Sequence, residues 1–455
     1  MGAREAPGTR KRDALSADRP PGGGETEPPV IGYIEPRPVI TNGRQRPVAT
    51  IRGVFAVRFS SLVERIAGER VTAWDIHYAA QAARDRGEDV ILLSVGDPDF
   101  ASPEVAVEAA VGALRAGDTH YTEVAGRDRL RGAIAQAHTA RSGQTVGPEN
   151  VVLASGAQNG LFCAFQCLVE AGDEVIVPEP MYLTYEATVR ASGATVVPVP
   201  QPTAGGWRLD LAAIERAIGP RTRAILYSNP SNPTGVVYTR AELEGLARLA
   251  IAHDLWVVSD EVYADLVYEE AEHVSIAALP GMAERTVTVS SLSKSHAMTG
   301  WRVGWTISPA PLAAHIETLA LCMLYGLPGF IQEGAIAALE HGAAAAAEMR
   351  AVYRRRRDLG VARLSRIPGL SCAAPQGGMF MLVDVRALGL TAMEFAWRLF
   401  RATGVSVLDA AAFGLSAEGH VRVSFVVDEA VLADAADRIE RFVGELGAAP
   451  RVAAG

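Results

Sequence analysis

The strongest constraint on the fold is a repeated pattern: short apolar runs, each stopped by polar or turn-forming residues and separated from the next by a helix-length stretch. In chain order the runs are VVLAS (151–155), EVIVP (174–178), TVVPVP (195–200), AILYSNP (224–230), LWVVSDEVY (255–263) and TVTVSSLSK (286–294). Uninterrupted runs rich in β-branched residues suit strands buried on both faces, as in a mostly parallel sheet covered by crossover helices. Helices are predicted from Gln158, near Tyr182, from Thr239 and, earlier, over Thr72–Gly87, where glycine marks the stop. DVILLSVGDPDF (89–100) reads as a strand running into a turn. The fold class is therefore α/β, with ligands expected at the carboxyl ends of the strands.

Beyond about Gly326 the texture changes. An Ala- and Arg-rich helical stretch (332–364) leads to GMFMLVDV (378–385), a further helix, GVSVLDA and HVRVSF. These imply a smaller α+β C-terminal domain over 326–448, with part of the N-terminal segment joining it. Residues 55–325 would hold an N-terminal arm and the large domain. Residues 1–54, rich in Pro, Gly and Arg with PGGG from Pro21, are expected to be a disordered extension.

A net charge of −9 gives no footing for nucleic acid or an anionic membrane surface. There is no apolar run of about 18 residues to span a bilayer. Arg10, Lys11 and Arg12 precede no apolar core of a signal peptide, and Ala6 stands where myristoylation wants Ser or Thr. Cys163 and Cys167 would share one side of a helix as core thiols. With Cys322 and Cys372 they show no metal-ligand spacing, and the nine histidines form no HExxH pair. A metal-free cytoplasmic protein is the expectation.

Lysine is nearly absent: only Lys11 and Lys294 occur, against a large excess of arginine. Arginine cannot condense with a carbonyl and lysine can, so a lone lysine in the folded region is a candidate for amine chemistry.

Three strand ends concentrate unusual residues. AILYSNPSNPTG offers the Asn232 amide, although NP and TG are also ordinary turn dipeptides. LWVVSDEVY ends a buried strand on Asp260, a carboxylate that needs a cation such as a protonated pyridine nitrogen, or that simply caps the next helix. SSLSKSHAMTGWRVG places Lys294 just past another strand, with Ser291 before it and Arg302 after, between Gly300 and Gly304. A phosphate wants a bidentate cation and several N–H donors; Arg302 could supply the first, and the turn Ser155-Gly156-Ala157-Gln158 entering a helix the second.

Together NPSNPTG, SDEVY and SLSKSHAMTGWRVGW resemble the class I/II aminotransferases of the pyridoxal phosphate (PLP) fold-type I superfamily, from about Phe55 to near the C-terminus. The resemblance implies PLP as cofactor and ping-pong transfer of an amino group from an amino acid to a 2-oxo acid. Lys294 would hold the cofactor as an imine and shuttle the proton, and Asp260 would pair with the ring nitrogen. Tyr263 and Asn232 would bond the ring hydroxyl and Tyr182 would stack on the ring. Arg302, Ser291 and the amides of Ala157 and Gln158 would hold the phosphate. Tyr121 would reach the phosphate of a neighbouring subunit in a homodimer with shared sites. Arg422 would clamp the substrate carboxylate, with Asn232 beside it and Gly96 over the substrate. From the residues alone, Arg422 is only an outward position on an alternating strand.

AWDIHYAAQAARDRGEDVILLSVGDPDF, AHDLWVVSDEVY and LALCMLYGLPGFIQ resemble the arginine–pyruvate branch of that family, which implies L-arginine as donor and pyruvate as acceptor. A guanidinium wants a carboxylate or an aromatic face. Asp75, beside Trp74, is the expected partner, or else an exposed helix-start aspartate. The same residues would serve an aspartate or other aminotransferase or a PLP β-lyase. A PLP-binding transcriptional regulator would need a winged helix that the first 50 residues do not show.

Overall fold

A computed structural model of the chain describes residues 59–67, 74–268 and 271–448. The expected extension, 1–54, lies outside them. The strands, in chain order, are β1 (Ile91–Leu92), β2 (Val151–Ser155), β3 (Glu174–Glu179), β4 (Thr195–Pro200), β5 (Thr222–Ser228), β6 (Trp256–Asp260), β7 (Thr286–Ser291), β8 (Val303–Ile307), β9 (Ser371–Cys372), β10 (Phe380–Asp384), β11 (Val405–Ser406), β12 (Leu408–Asp409) and β13 (His420–Ser424).

Seven of them form one sheet, in the order β2-β8-β7-β6-β5-β3-β4. All pairings are parallel except the two made by β8, which runs antiparallel between β2 and β7. Successive residues feed opposite cores, as a doubly covered sheet requires. Val175, Val177, Leu226 and Val258 pack into one apolar cluster with Phe165 of the helix Ala157–Leu168. Their neighbours Ile176, Ile225, Tyr227 and Val257 pack into another under the helix Arg240–Ala252. That helix starts where Thr239 accepts from the Glu242 N–H and Glu242 bonds back to Thr239, a capping box.

The second sheet, β12-β13-β10-β9, is antiparallel throughout. Its core joins Leu382, Val421 and Phe425 to Phe395, Leu399, Leu432 and Ile439 of the helices Ala392–Thr403 and Glu429–Ala448.

Several expectations change in detail. DVILLS yields only β1, which pairs with β11 rather than with the large sheet. β8 was not among the expected strands, since VGWTI lies in the glycine-flanked stretch read as backbone around Arg302, and a strand's direction leaves no mark in its apolar pattern. The stretch 332–364 falls in two helices, Gly329–His341 and Ala343–Leu364. They break at Gly342, where a Cβ would collide with the Ala338 carbonyl. The helix expected near Tyr182 begins at Tyr185. The one expected from 72 runs Asp75–Asp85, with residues 72 and 73 outside the described set.

Candidate active site

β5, β6 and β7 lie side by side, so the three unusual strand ends meet in space. Ser228, Asp260 and Ser291, the last residues of those strands, line one cavity of about 400 Å³. Residues from the second sheet, Phe380 of β10 and Arg422 of β13, close its far wall. Gly96, Ala157, Gln158, Tyr182, Asn232, Tyr263, Lys294 and Arg302 line it as well.

Lys294 sits in the short helix Leu292–Ser295, directly after β7, and donates from Nζ to the Gly96 carbonyl at 2.5 Å. Its ammonium is pushed down to about 8. Burial is the main cause; Asp97 opposes it, and Arg422 and Arg302 add to it. The charge of Arg302 is therefore the lesser effect. Gly96 has no room for a side chain, since a Cβ there would overlap the Phe380 ring.

Asp260, 5% exposed, accepts from the Tyr185 hydroxyl at 2.8 Å and the Val262 N–H at 3.2 Å. Burial pushes its carboxyl up to about 6 against the pull of those two donors. Tyr185 is a site residue that the motifs did not bring out. Its signal was present: it lies three residues after Tyr182 in MYLTY, at the start of the helix that follows.

Arg302 adopts a left-handed backbone (φ 56°). It donates to the Thr299 carbonyl at 2.8 Å and the Ser155 carbonyl at 3.1 Å. It lies against Gly156, which has φ 79° and caps the helix Ala157–Leu168. A Cβ on Gly304 would strike the backbone of Gly156 and Ala157, so Gly304 is what lets Arg302 approach; Gly300 has open space. The first amides of that helix have no intrahelical acceptor and point outward. The Ser291 hydroxyl accepts from the Ser293 N–H at 3.3 Å.

Arg422 is 2% exposed. All five residues of β13 are buried, which corrects the reading of this position as outward-facing. The guanidinium donates to Asn232 Oδ1 at 3.1 Å and to the Ser94 carbonyl at 2.9 Å, and it lies over the Phe380 ring. Its Nε has no partner, and among the described residues no carboxylate pairs with it. Burial pushes it down to about 10. Asn232 in turn donates to the Tyr263 hydroxyl at 3.3 Å.

Two residues of the expected set do not line this cavity: Tyr121, expected to serve a neighbouring subunit, and Asp75. Tyr121 is 86% exposed, packs on Tyr325 with ring centroids 4.8 Å apart, and lines a different cavity. Asp75 is exposed and does not line the site, whereas Trp74 does.

A guanidinium and free helix-start amides form a cradle for a phosphate. A buried carboxylate with a raised pKa invites a cation, and a desolvated amine lines the same cavity. This set of groups fits pyridoxal phosphate, and with the sheet topology it defines a PLP-dependent transferase of fold type I. The chain belongs to the aminotransferase class I and II family, which it matches over residues 88–439, and it is a PLP-dependent aminotransferase. It is 53% identical over 390 residues to the arginine–pyruvate transaminase AruH of Pseudomonas aeruginosa, covering 86% of this chain and 99% of that one. It is 38% identical to the aspartate/prephenate aminotransferase of Thermus thermophilus, over 81% of this chain and 95% of that one. The solved structure of Thermus thermophilus aspartate aminotransferase with maleate superposes with a TM-score of 0.80 at 36% identity, over 85% of this chain and all of that one. No helix among the described residues is long and apolar enough to cross a membrane.

Proposed function

We propose that the enzyme moves the α-amino group of L-arginine, or of a close cationic relative, to pyruvate or another small 2-oxo acid. The observation that carries the reading is the buried pairing of an amine with an anion receptor. Lys294 faces the cavity that also holds Arg422, a desolvated guanidinium with no carboxylate partner among the described residues. An α-amino acid needs both at once. The choice of arginine is supported by the 53% identity to a protein named for that activity.

The residues divide the work. Arg302, Ser291 and the amides of Ala157 and Gln158 would hold the phosphate, and Asn232 and Tyr263 the ring hydroxyl. Tyr182 would cover the ring face, and Asp260 would present its carboxylate to the ring nitrogen. When bound, pyridoxal phosphate supplies the electron sink for negative charge at the substrate α-carbon. Arg422 and Asn232 would fix the substrate carboxylate, and Gly96 would form the wall above it. Lys294 Nζ would take the proton from the α-carbon and return it, and its lowered pKa keeps the neutral amine within reach near neutral pH.

The fold would work as a large domain (55–325) and a small one (326–448) closing over substrate. In a cytoplasmic homodimer the exposed Tyr121 would complete the partner's phosphate site. The test is a panel of amino donors with pyruvate and with 2-oxoglutarate. Alanine formed from arginine and pyruvate is expected. Pyruvate and ammonia released from cystathionine would instead mark a β-lyase.

A further inference from the structure

A cavity that accepts a guanidinium side chain must hold a counter-charge for it, because Lys294, Arg302 and Arg422 already make its wall cationic. Among the described residues two carboxylates line the cavity, Asp97 and Asp260. Asp260 is buried at the floor and engaged by Tyr185 and the Val262 amide. Asp97 is exposed at the mouth. One of its oxygens accepts from the Thr299 hydroxyl at 2.7 Å, and the other has no protein partner among the described residues.

Its position along the substrate is set by its neighbours. Gly96, directly before it, takes the Lys294 amine on its carbonyl, while Asp97 itself is exposed, so its carboxylate belongs to the mouth of the cavity and not to that contact. The Arg422 guanidinium lies over the rings of Phe380 and Phe413, which pack that wall of the cavity. A substrate with its carboxylate on Arg422 therefore sends its side chain toward the open rim, where Asp97 and the ring of Trp74 lie.

We propose that Asp97 is the specificity residue that receives the distal cation of the amino donor, with the Trp74 ring as an apolar wall beside it. The role that the sequence suggested for Asp75 passes to Asp97. This inference rests on the arginine reading above and deepens it.

The experiment compares arginine with citrulline, its neutral isostere, in the wild-type holoenzyme and in the variants Asp97→Asn and Asp97→Glu. The wild type prefers arginine. Asp97→Asn lowers the arginine-to-citrulline ratio of kcat/KM by about 10- to 100-fold, as expected for the loss of a charge-assisted contact, and the change is carried mainly by the KM for arginine. Asp97→Glu retains most of the preference. A second readout does not require turnover. 5-Guanidinopentanoate and 5-ureidopentanoate lack an amino group to transfer, and their binding is measured by calorimetry; only the guanidino compound weakens in Asp97→Asn. An unchanged ratio in a wild-type-like Asp97→Asn enzyme, or equal losses for both donors, overturns the assignment and leaves the arginine reading intact. A wild type that does not turn over arginine overturns both.

Discussion

Gly156 and Arg302 occupy what would otherwise be one space: a side chain on residue 156 would come within 3.0 Å of the Arg302 guanidinium. Gly156 also has φ 79°, which L-residues adopt at a cost. Gly156→Ala therefore pushes Arg302 away from the helix start it flanks. The expected outcome is a rise of about ten-fold or more in the dissociation constant for pyridoxal phosphate, measured by absorbance titration of the apo-protein. An alanine variant with wild-type affinity would show that Arg302 does not need this approach.

Much of the site was legible because its residues cluster at strand ends. Lys294, Asp260 and Asn232 each come after an apolar run, and parallel strands bring their carboxyl ends together whatever their distance in sequence. Tyr185 escaped because its role depends on where a helix begins, and the boundary moved by three residues from Tyr182. Arg422 read as outward because alternation in HVRVSF assumes one wet face, whereas β13 is covered on both sides. Asp75 and Asp97 are equally acidic in sequence, and only the path of the chain decides which one faces the cavity.

The burial of Asp260, opposed by its bond from Tyr185, links pH to stability. The carboxyl of Asp260 is raised to about 6 in the folded protein, so the protonated form is the one folding favours. Its contribution is complete below the ordinary carboxylate range and is lost as pH rises through about 6, a cost on the order of 3 kcal/mol. Urea unfolding of the apo-protein should therefore show a midpoint that falls between pH 4 and pH 7, and Asp260→Asn should flatten that fall. Tyr185→Phe removes a bond that holds the carboxyl down, so its inflection should move to higher pH. A Tyr185→Phe inflection at lower pH would contradict the geometry.

Arg356 and Asp99 tie the loop over the cavity to the second sheet's helices. Arg356, buried in the helix Ala343–Leu364, makes two bonds to Asp99, at 2.7 and 2.8 Å. Phe100 packs edge-on against Tyr353 of the same helix. Asp99 lies three residues after Gly96, the acceptor for Lys294. Arg356→Gln leaves Asp99 without its cation and loosens the loop, and loss of a bidentate pair of this kind costs about 1.5–3 kcal/mol. The expected result is a ten-fold or larger fall in kcat/KM with little change in cofactor affinity, measured by steady-state kinetics beside cofactor titration. A parallel loss of cofactor would mean that the whole site, and not the loop, had been disturbed.

The amine of Lys294 sets a second pH dependence, opposite in sense to that of Asp260. Burial holds its pKa near 8, below the ordinary lysine value, so the neutral and nucleophilic form grows as pH rises through about 8 and is lost as pH falls below it. The rate at which apo-protein captures pyridoxal phosphate should rise with pH and level off above that point. Borohydride reduction and then peptide mass analysis assign the product cleanly, because the chain has only one other lysine, Lys11. Asp97 is the neighbour that holds the value up, so Asp97→Asn should move the midpoint below 8. A wild-type midpoint near that of free lysine would mean that the amine is solvated, and it would remove the physical basis for Lys294 acting as a base near neutral pH.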